Sequence, residues 1–307
     1  MTKAGFQRMK EDSRSGETLG QLLEHQDLSG YSIQKQGRII RNRVIDALRV
    51  TGEAEHIGLA DRIENCGRGR LCGSAYCSDC RKRAVTGLSD RISRHIESRY
   101  GSSKKKIREQ LRYVTVLCEL VDLDYGSVKT ARKRAQKDLD ALVRRFKGTW
   151  IQGTYELELM DMGLLDKSDA GVAQNKRAAK QRTLAALKGV DVKDSGSLGQ
   201  QVIVHFHALV DLNGVDGDQF KEWVRRRWNA DGRQTRIQLT DSSQSWREMV
   251  SKIASYGFKN RVQYNLTFET NDYLKGKWFK NEDLAELVMI YDGLRNKRNN
   301  GLLIGRG

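Results

Sequence analysis

The chain has 307 residues, room for one large domain or two smaller ones, and its 55 Lys and Arg against 39 Asp and Glu leave a net charge of +16. No run of about 18 apolar residues occurs, and the N-terminal MTKAGFQRMKEDSRSGE has no secretory core, so membrane spanning and export are not expected. The basic surplus calls for a polyanionic partner, and nucleic acid in a cytoplasmic setting is the expectation. There is no proline. Turns therefore rest on the 29 glycines and on Asn and Asp, and slow prolyl isomerisation drops out of folding.

In chain order, residues 1–20 are polar and form an arm. RIIRNRVIDALRV sets Ile39, Ile40, Val44, Ala47 and Leu48 on one face of an amphipathic helix, so 1–62 is an arm plus a helix. A cysteine-rich module follows within 63–103. The basic run Lys104 to Lys106 leads into a strand, LRYVTVLCEL. A helix then runs from Ser127, its expected N-cap, to Lys147, with Val128, Ala131, Ala135, Leu139, Leu142 and Phe146 inward. WIQGTYELEL is a second strand. Residues 166–200 are polar at both edges with a helix-prone middle, an insertion between two paired strands carrying one short helix. VIVHFHALVDL is a third strand, FKEWVRRRW a helix and RIQLT a strand. SWREMVSKIASYGFKN is a helix marked by a capping box, Ser245 and Glu248. A tail at 276–307 carries the apolar helix LAELVMIYDGL. The main domain, 104–275, is thus α+β: a central antiparallel sheet covered by helices. No glycine-rich phosphate loop is present, which argues against a nucleotide-binding doubly wound fold.

Three groups of residues carry chemistry. Cys66, Cys72, Cys77 and Cys80 lie within fifteen positions in CGRGRLCGSAYCSDCRKR. Four soft thiolates satisfy tetrahedral zinc, and in a cytosolic chain that outranks a disulfide framework or a redox pair. Arg81, Lys82 and Arg83, with Arg68 and Arg70, make the module basic, as DNA contact requires. Cys118 sits in an apolar strand and belongs to the core. His205 and His207 alternate along a strand, so both imidazoles share one face and make a metal half-site. Tyr256 falls on the apolar side of its helix with Met249, Val250 and Ile253. Lys252 and Lys259, at minus four and plus three, share its face. Two ammonium groups beside a phenol suit a phosphate and a phenolate better than a plain core.

Taken together and in order, these residues resemble the HUH endonucleases, and among them the replication initiators of rolling-circle plasmids. LRYVTVLCEL resembles the family's first strand motif, GTYELEL its glutamate strand, HFHALVDL its histidine strand and KIASYGFK its tyrosine helix with a trailing lysine. CSDCRKR looks like the cysteine cluster many members carry upstream. The tyrosine follows the histidines, as in initiators and unlike relaxases. The likeness spans about residues 64–262. Ser78 stands where the family often has proline, the histidine pair lacks the proline many members place beside it, and the 166–200 insertion is longer than usual.

The resemblance implies cleavage of single-stranded origin DNA by transesterification. A divalent ion, Mg²⁺ or Mn²⁺, would be held by His205, His207 and a glutamate. Glu156 and Glu158 share one strand face; Glu158 fits the family pattern better, and both remain open. Tyr256 would attack, leaving a 5′-phosphotyrosine and a free 3′-hydroxyl, with Lys259 steadying the phosphate or the phenolate and Lys252 contacting DNA. Position 260 is Asn, so this is a single-tyrosine enzyme. Single- and double-stranded DNA and the host helicase and polymerase are the implied partners. Two rivals remain: an HUH-type transposase, and a non-catalytic zinc-containing DNA-binding regulator with the histidines in its core.

Overall fold

The computed structural model describes residues 33–67, 70–166, 174–239, 246–256, 261–265, 277–295 and 303–306. The fold is α+β, a five-stranded sheet with helices on both faces. In chain order the helices are α1 (Ile33–Val50), α2 (Ala54–Glu64), α3 (Ser78–Tyr100), α4 (Lys104–Gln110), α5 (Tyr125–Arg145), α6 (Met162–Asp166), α7 (Gln174–Lys188), α8 (Gly217–Arg227), α9 (Trp246–Tyr256) and α10 (Asn281–Leu294). The strands are β1 (Leu111–Asp122), β2 (Trp150–Asp161), β3 (Gln200–Asp211), β4 (Thr235–Leu239) and β5 (Leu303–Arg306).

The sheet order is β4-β1-β3-β2-β5 and every pairing is antiparallel. The histidine strand β3 is therefore central, hydrogen-bonded along its length to β1 and β2. Side chains alternate between faces. On β3, Val202, Val204, Phe206, Ala208 and Val210 line one face, and His205, His207 and Leu209 line the other. The first face packs on α5 through Val128, Ala131, Ala135, Leu139 and Leu142, with Phe220 and Val224 of α8 beyond. That apolar core continues through α10 into α1 and α2, where Val44, Ala47 and Leu48 are fully buried. The second face is covered at its Leu209 end by a separate cluster: Leu88, Ile92 and Ile96 of α3, Ile107 of α4, and Val250 and Ala254 of α9.

Several local features differ from the sequence expectations. Asp124, not Ser127, caps α5, accepting from the Ser127 backbone N–H at 2.9 Å; Asp124 has the extended backbone a cap requires, whereas Ser127 lies inside the helix. The run from Lys104 forms the short helix α4, capped by Ser103, before the strand begins. Most of the 63–103 segment is the 23-residue α3. The insertion holds the 15-residue α7 and a 3₁₀ turn at Val192–Leu198 and does separate two paired strands. The N-terminal arm, Ser245 of the capping box and residues 296–302 (NKRNNGL) lie outside the described residues.

Two devices hold the sheet. Where β5 ends against Thr154, the Tyr291 hydroxyl of α10 closes the exposed edge of β2, accepting from Leu157 N at 2.9 Å and donating to Leu157 O at 3.1 Å. At the end of β3, buried Asp211 takes the Tyr100 hydroxyl at 2.5 Å and lies 2.7 Å from His95 Nε2, tying α3 to the sheet. The His95 ring stacks on Trp150, with centroids 3.8 Å apart. The β2–β3 pairing has one tight spot. A Cβ on Gly153 would fall 2.1 Å from the His207 carbonyl oxygen and 2.6 Å from Ala208 Cα, both backbone atoms that cannot turn aside. Gly153→Ala is therefore expected to force β2 away from β3 and cost about 3 kcal/mol, measured as a lower denaturation midpoint. An unchanged midpoint would refute the β2–β3 register.

Candidate functional site

The register of β3 assembles the first site. Glu156 is directly opposite His205 on β2, and Thr154 is opposite His207, so their side chains emerge on one face. His207 Nε2 lies 2.9 Å from Glu156 Oε2, and His205 Nε2 lies 3.7 Å from the same oxygen. One donor atom from each of Glu156, His205 and His207 falls within 4.8 Å of the others, a set that can hold a metal ion. On the other side of His205, β1 carries a bulge between Leu117 and Glu119, a kink of the kind that re-aims side chains beside functional sites.

All three groups are buried, Glu156 to 1% of its accessible surface. Burial pushes the Glu156 carboxyl up, but His205, Arg261 and His207 together outweigh it and hold it far below the usual carboxylate range. Burial drives His205 down to about 4 against the pull of Glu156, so it is neutral at pH 7 and its lone pair is available for coordination. Among the described residues, neither His205 nitrogen has a hydrogen-bond partner. A buried imidazole left so costs free energy unless something else takes its lone pair. The donor set and this orphaned ring both fit a metal ion.

Glu158, which the strand pattern favoured, faces a different environment. Its Oε1 accepts from Lys180 Nζ at 2.7 Å and lies 3.4 Å from Arg261, while Oε2 is 3.8 Å from His205 Nε2. Arg261 also bonds Glu156 Oε1 through Nε at 3.1 Å. The geometry thus ranks Glu156 ahead of Glu158 as the ligand. Burial pushes Glu158 up, and Arg261 and Lys180 outweigh it. Lys180, fully buried, also donates to the Asn265 carbonyl.

Lys180 and Arg261 were not singled out from the sequence. A lysine inside QNKRAAKQR carries no one-dimensional mark of burial. Tyr113 and Thr115 were missed too, although their alternation in LRYVTVL places them on the face of His207. The Tyr113 hydroxyl and Thr115 Oγ1 stand 2.8 and 3.0 Å from His207 Nδ1.

The tyrosine helix α9 lies on this same face: Val250 and Ala254 pack in the cluster that contains Leu209, two positions beyond His207. Tyr256 is its last residue. The side chains of Tyr256, Lys252 and Glu248, and all of Lys259, lie outside the described residues. Tyr256 and Arg261 are five residues apart, a span of at most about 18 Å, and Arg261 reaches Glu156.

The second site lies between α2 and α3. Cys66 follows α2, Cys72 sits in the connecting loop, Cys77 is the N-cap of α3 and Cys80 is in its first turn. Ser78, where proline was noted as missing, is the first helical residue, a position that tolerates proline but does not demand it. Cys66 and Cys72 Sγ each lie 3.6 Å from Cys80 Sγ. A tetrahedral ion with Zn–S bonds of about 2.3 Å sets its sulfurs about 3.8 Å apart, whereas a disulfide needs about 2.05 Å. Backbone N–H groups of Cys72, Gly73 and Ser74 point at the sulfurs of Cys66, Cys80 and Cys72. Such donors favour thiolates, and Gly73 supplies one from a left-handed turn (φ 76°). The Cys77 thiol is drawn down to about 5, chiefly by its hydrogen bond with Cys72, whose own ionisation is pushed up; Cys80 rises to about 11 through burial. Four thiols this close cannot all ionise without a cation, a charge that a zinc ion could supply. Lys82 and Arg83 are exposed on α3 beside this loop, with Arg81 half-buried. Cys118 is buried at the β1 bulge and belongs to the core.

Comparison with known proteins finds no family model, no curated protein and no solved structure that matches the chain. Among the described residues, no helix is long and apolar enough to cross a membrane.

Two outcomes are expected here. Elemental analysis of the purified chain should find about one zinc per molecule that resists mild chelation, and Cys77→Ser should release it and destabilise α3, because bound structural zinc contributes folding free energy. At the histidine site, Glu156→Gln should weaken Mn²⁺ binding at least tenfold by calorimetry, with Glu158→Gln weakening it less. The reverse order would return the ligand role to Glu158.

Proposed function

We propose that the chain is a single-tyrosine HUH-type endonuclease that initiates rolling-circle replication by nicking single-stranded origin DNA. One observation carries this reading: Glu156, His205 and His207 converge on one face of the central strand, and the helix ending in Tyr256 packs on that same face. The net charge of +16 suits a DNA partner.

The charge balance of the site supports a phosphodiester substrate. Two buried carboxylates, Glu156 and Glu158, are matched by two buried cations, Lys180 and Arg261. The protein groups alone are close to neutral there, so a bound divalent ion leaves a positive site facing the strand. When bound at Glu156, His205 and His207, Mg²⁺ or Mn²⁺ supplies Lewis-acid polarisation of the scissile phosphate. His205 and His207 would each offer a ring-nitrogen lone pair to the ion and Glu156 an anionic oxygen. The Tyr256 phenol oxygen attacks phosphorus; a P–O bond to tyrosine forms as the bond to the 3′-oxygen breaks. The phenolic proton is released and the 3′-oxygen takes one up, giving a 5′-phosphotyrosine and a free 3′-hydroxyl. Lys259 steadies the phosphate or the phenolate, and Lys252 and the basic Arg81–Arg83 run contact DNA. The 3′-hydroxyl then serves host polymerase, with a host helicase opening the duplex.

Incubation with single-stranded origin DNA and Mn²⁺ should give a denaturant-resistant protein–DNA adduct. Tyr256→Phe removes only the hydroxyl, so the adduct should vanish with folding intact, while Tyr264→Phe, at a ring buried against Phe279, should keep it. DNA binding with no adduct under any metal would favour the regulator, and cutting and rejoining of hairpin ends the transposase.

A further inference from the structure

His207 carries two demands at once. Its Nε2 faces Glu156 Oε2 at 2.9 Å, so with no metal the ring is best served by a proton on Nε2, donated to that carboxylate. A metal-binding imidazole must offer Nε2 as a bare lone pair, and the proton then belongs on Nδ1. The neutral ring has only one proton, so the two states are opposite tautomers. Whatever touches Nδ1 has to donate in one state and accept in the other. A backbone carbonyl or a carboxylate only accepts, and a backbone N–H only donates. A hydroxyl does both by rotating.

Two hydroxyls lie within hydrogen-bond distance of Nδ1. Thr115 is the direct cross-strand partner of His207 on β1 and places Oγ1 at 3.0 Å; Tyr113, two residues back on the same face, places its hydroxyl at 2.8 Å. The Tyr113 ring runs nearly parallel to the imidazole, at 11°. Among the described residues His205 has no comparable support, since neither of its nitrogens is hydrogen-bonded to one of them. The two histidines are thus built differently.

We propose that Tyr113 and Thr115 are positioning residues that let His207 exchange tautomers, donating to Nδ1 in the metal-free protein and accepting from it when Nε2 takes the metal. This rests on the reading of Glu156, His205 and His207 as a metal site. The pair keeps the ring bonded and oriented in both states, so ion binding requires rotation of two hydroxyls and transfer of one proton from Nε2 to Nδ1 through solvent. No backbone movement is needed.

The test uses the full chain with its cysteine site intact. Long-range proton–nitrogen spectra of nitrogen-15 histidine-labelled protein, assigned with His207→Ala, should show His207 protonated on Nε2 without added ion and on Nδ1 at saturating Mg²⁺. Retention of the Nε2 proton in the Mg²⁺-bound state overturns the proposal. By calorimetry, Tyr113→Phe with Thr115→Val should bind Mn²⁺ ten- to a hundredfold more weakly while still unfolding cooperatively, and Thr115→Ser in the Tyr113→Phe background should recover most of the affinity. Wild-type affinity in the double variant overturns the proposal while leaving the metal site standing. Wild-type protein with no Mn²⁺ binding that depends on His207 overturns the metal reading and this inference with it.

Discussion

Burying a carboxylate in a sheet costs several kcal/mol unless counter-charge is buried with it, and this protein buries two, Glu156 and Glu158, side by side on β2. The elements around the histidine strand supply the compensation. Lys180 comes from α7 and Arg261 from the segment after α9. Each charge comes from a different part of the chain, so none is satisfied until β2, β3, α7 and the 261–265 segment are all in place. The cluster is poorly explained as a stability device, because apolar residues of similar volume would serve the core as well. Its arrangement suits a set of side chains that could hold a metal ion on a rigid sheet.

The two faces of the sheet divide the labour. One is an uninterrupted apolar core running from α5 through α10 into α1 and α2. The other is apolar only at the Leu209 end, where α3, α4 and α9 cover it, and turns polar along Glu156, His205 and His207. Antiparallel alternation allows this because one strand can present Phe206 to the core and its two neighbours to the site. The rigid face fixes the ligands to within the register of the pairing, which a loop-borne site does not achieve.

The cysteine cluster and the histidine strand are connected physically through α3. Cys77 and Cys80 lie at its start, Leu88, Ile92 and Ile96 pack in the cluster that holds α9, and His95 and Tyr100 reach Asp211 at the end of the histidine strand. A metal at the cysteines would fix the beginning of α3, against which α9 packs. That gives the small knuckle a structural part in a site assembled on the sheet.

The local patterns were legible in the sequence because they depend on neighbours in the chain. Period-two alternation marked the three long strands and put His205 and His207 on one face. The 3.6 period fixed the inner face of α5 residue by residue, and the cysteine spacing marked a four-sulfur cluster. The N-cap of α5 was misplaced because Asp124 and Ser127 are both good capping residues, and only the backbone at Asp124 decides between them. Strand order was also beyond the sequence: β1 and β2 flank β3, and register then set Glu156 opposite His205 and left Glu158 to Lys180 and Arg261. A lysine in a polar stretch and an arginine after a helix give no sign in one dimension that they will be buried against carboxylates. Pairing of charges far apart in the chain is a property of the assembled tertiary structure, whereas periodicity and spacing are properties of the chain itself.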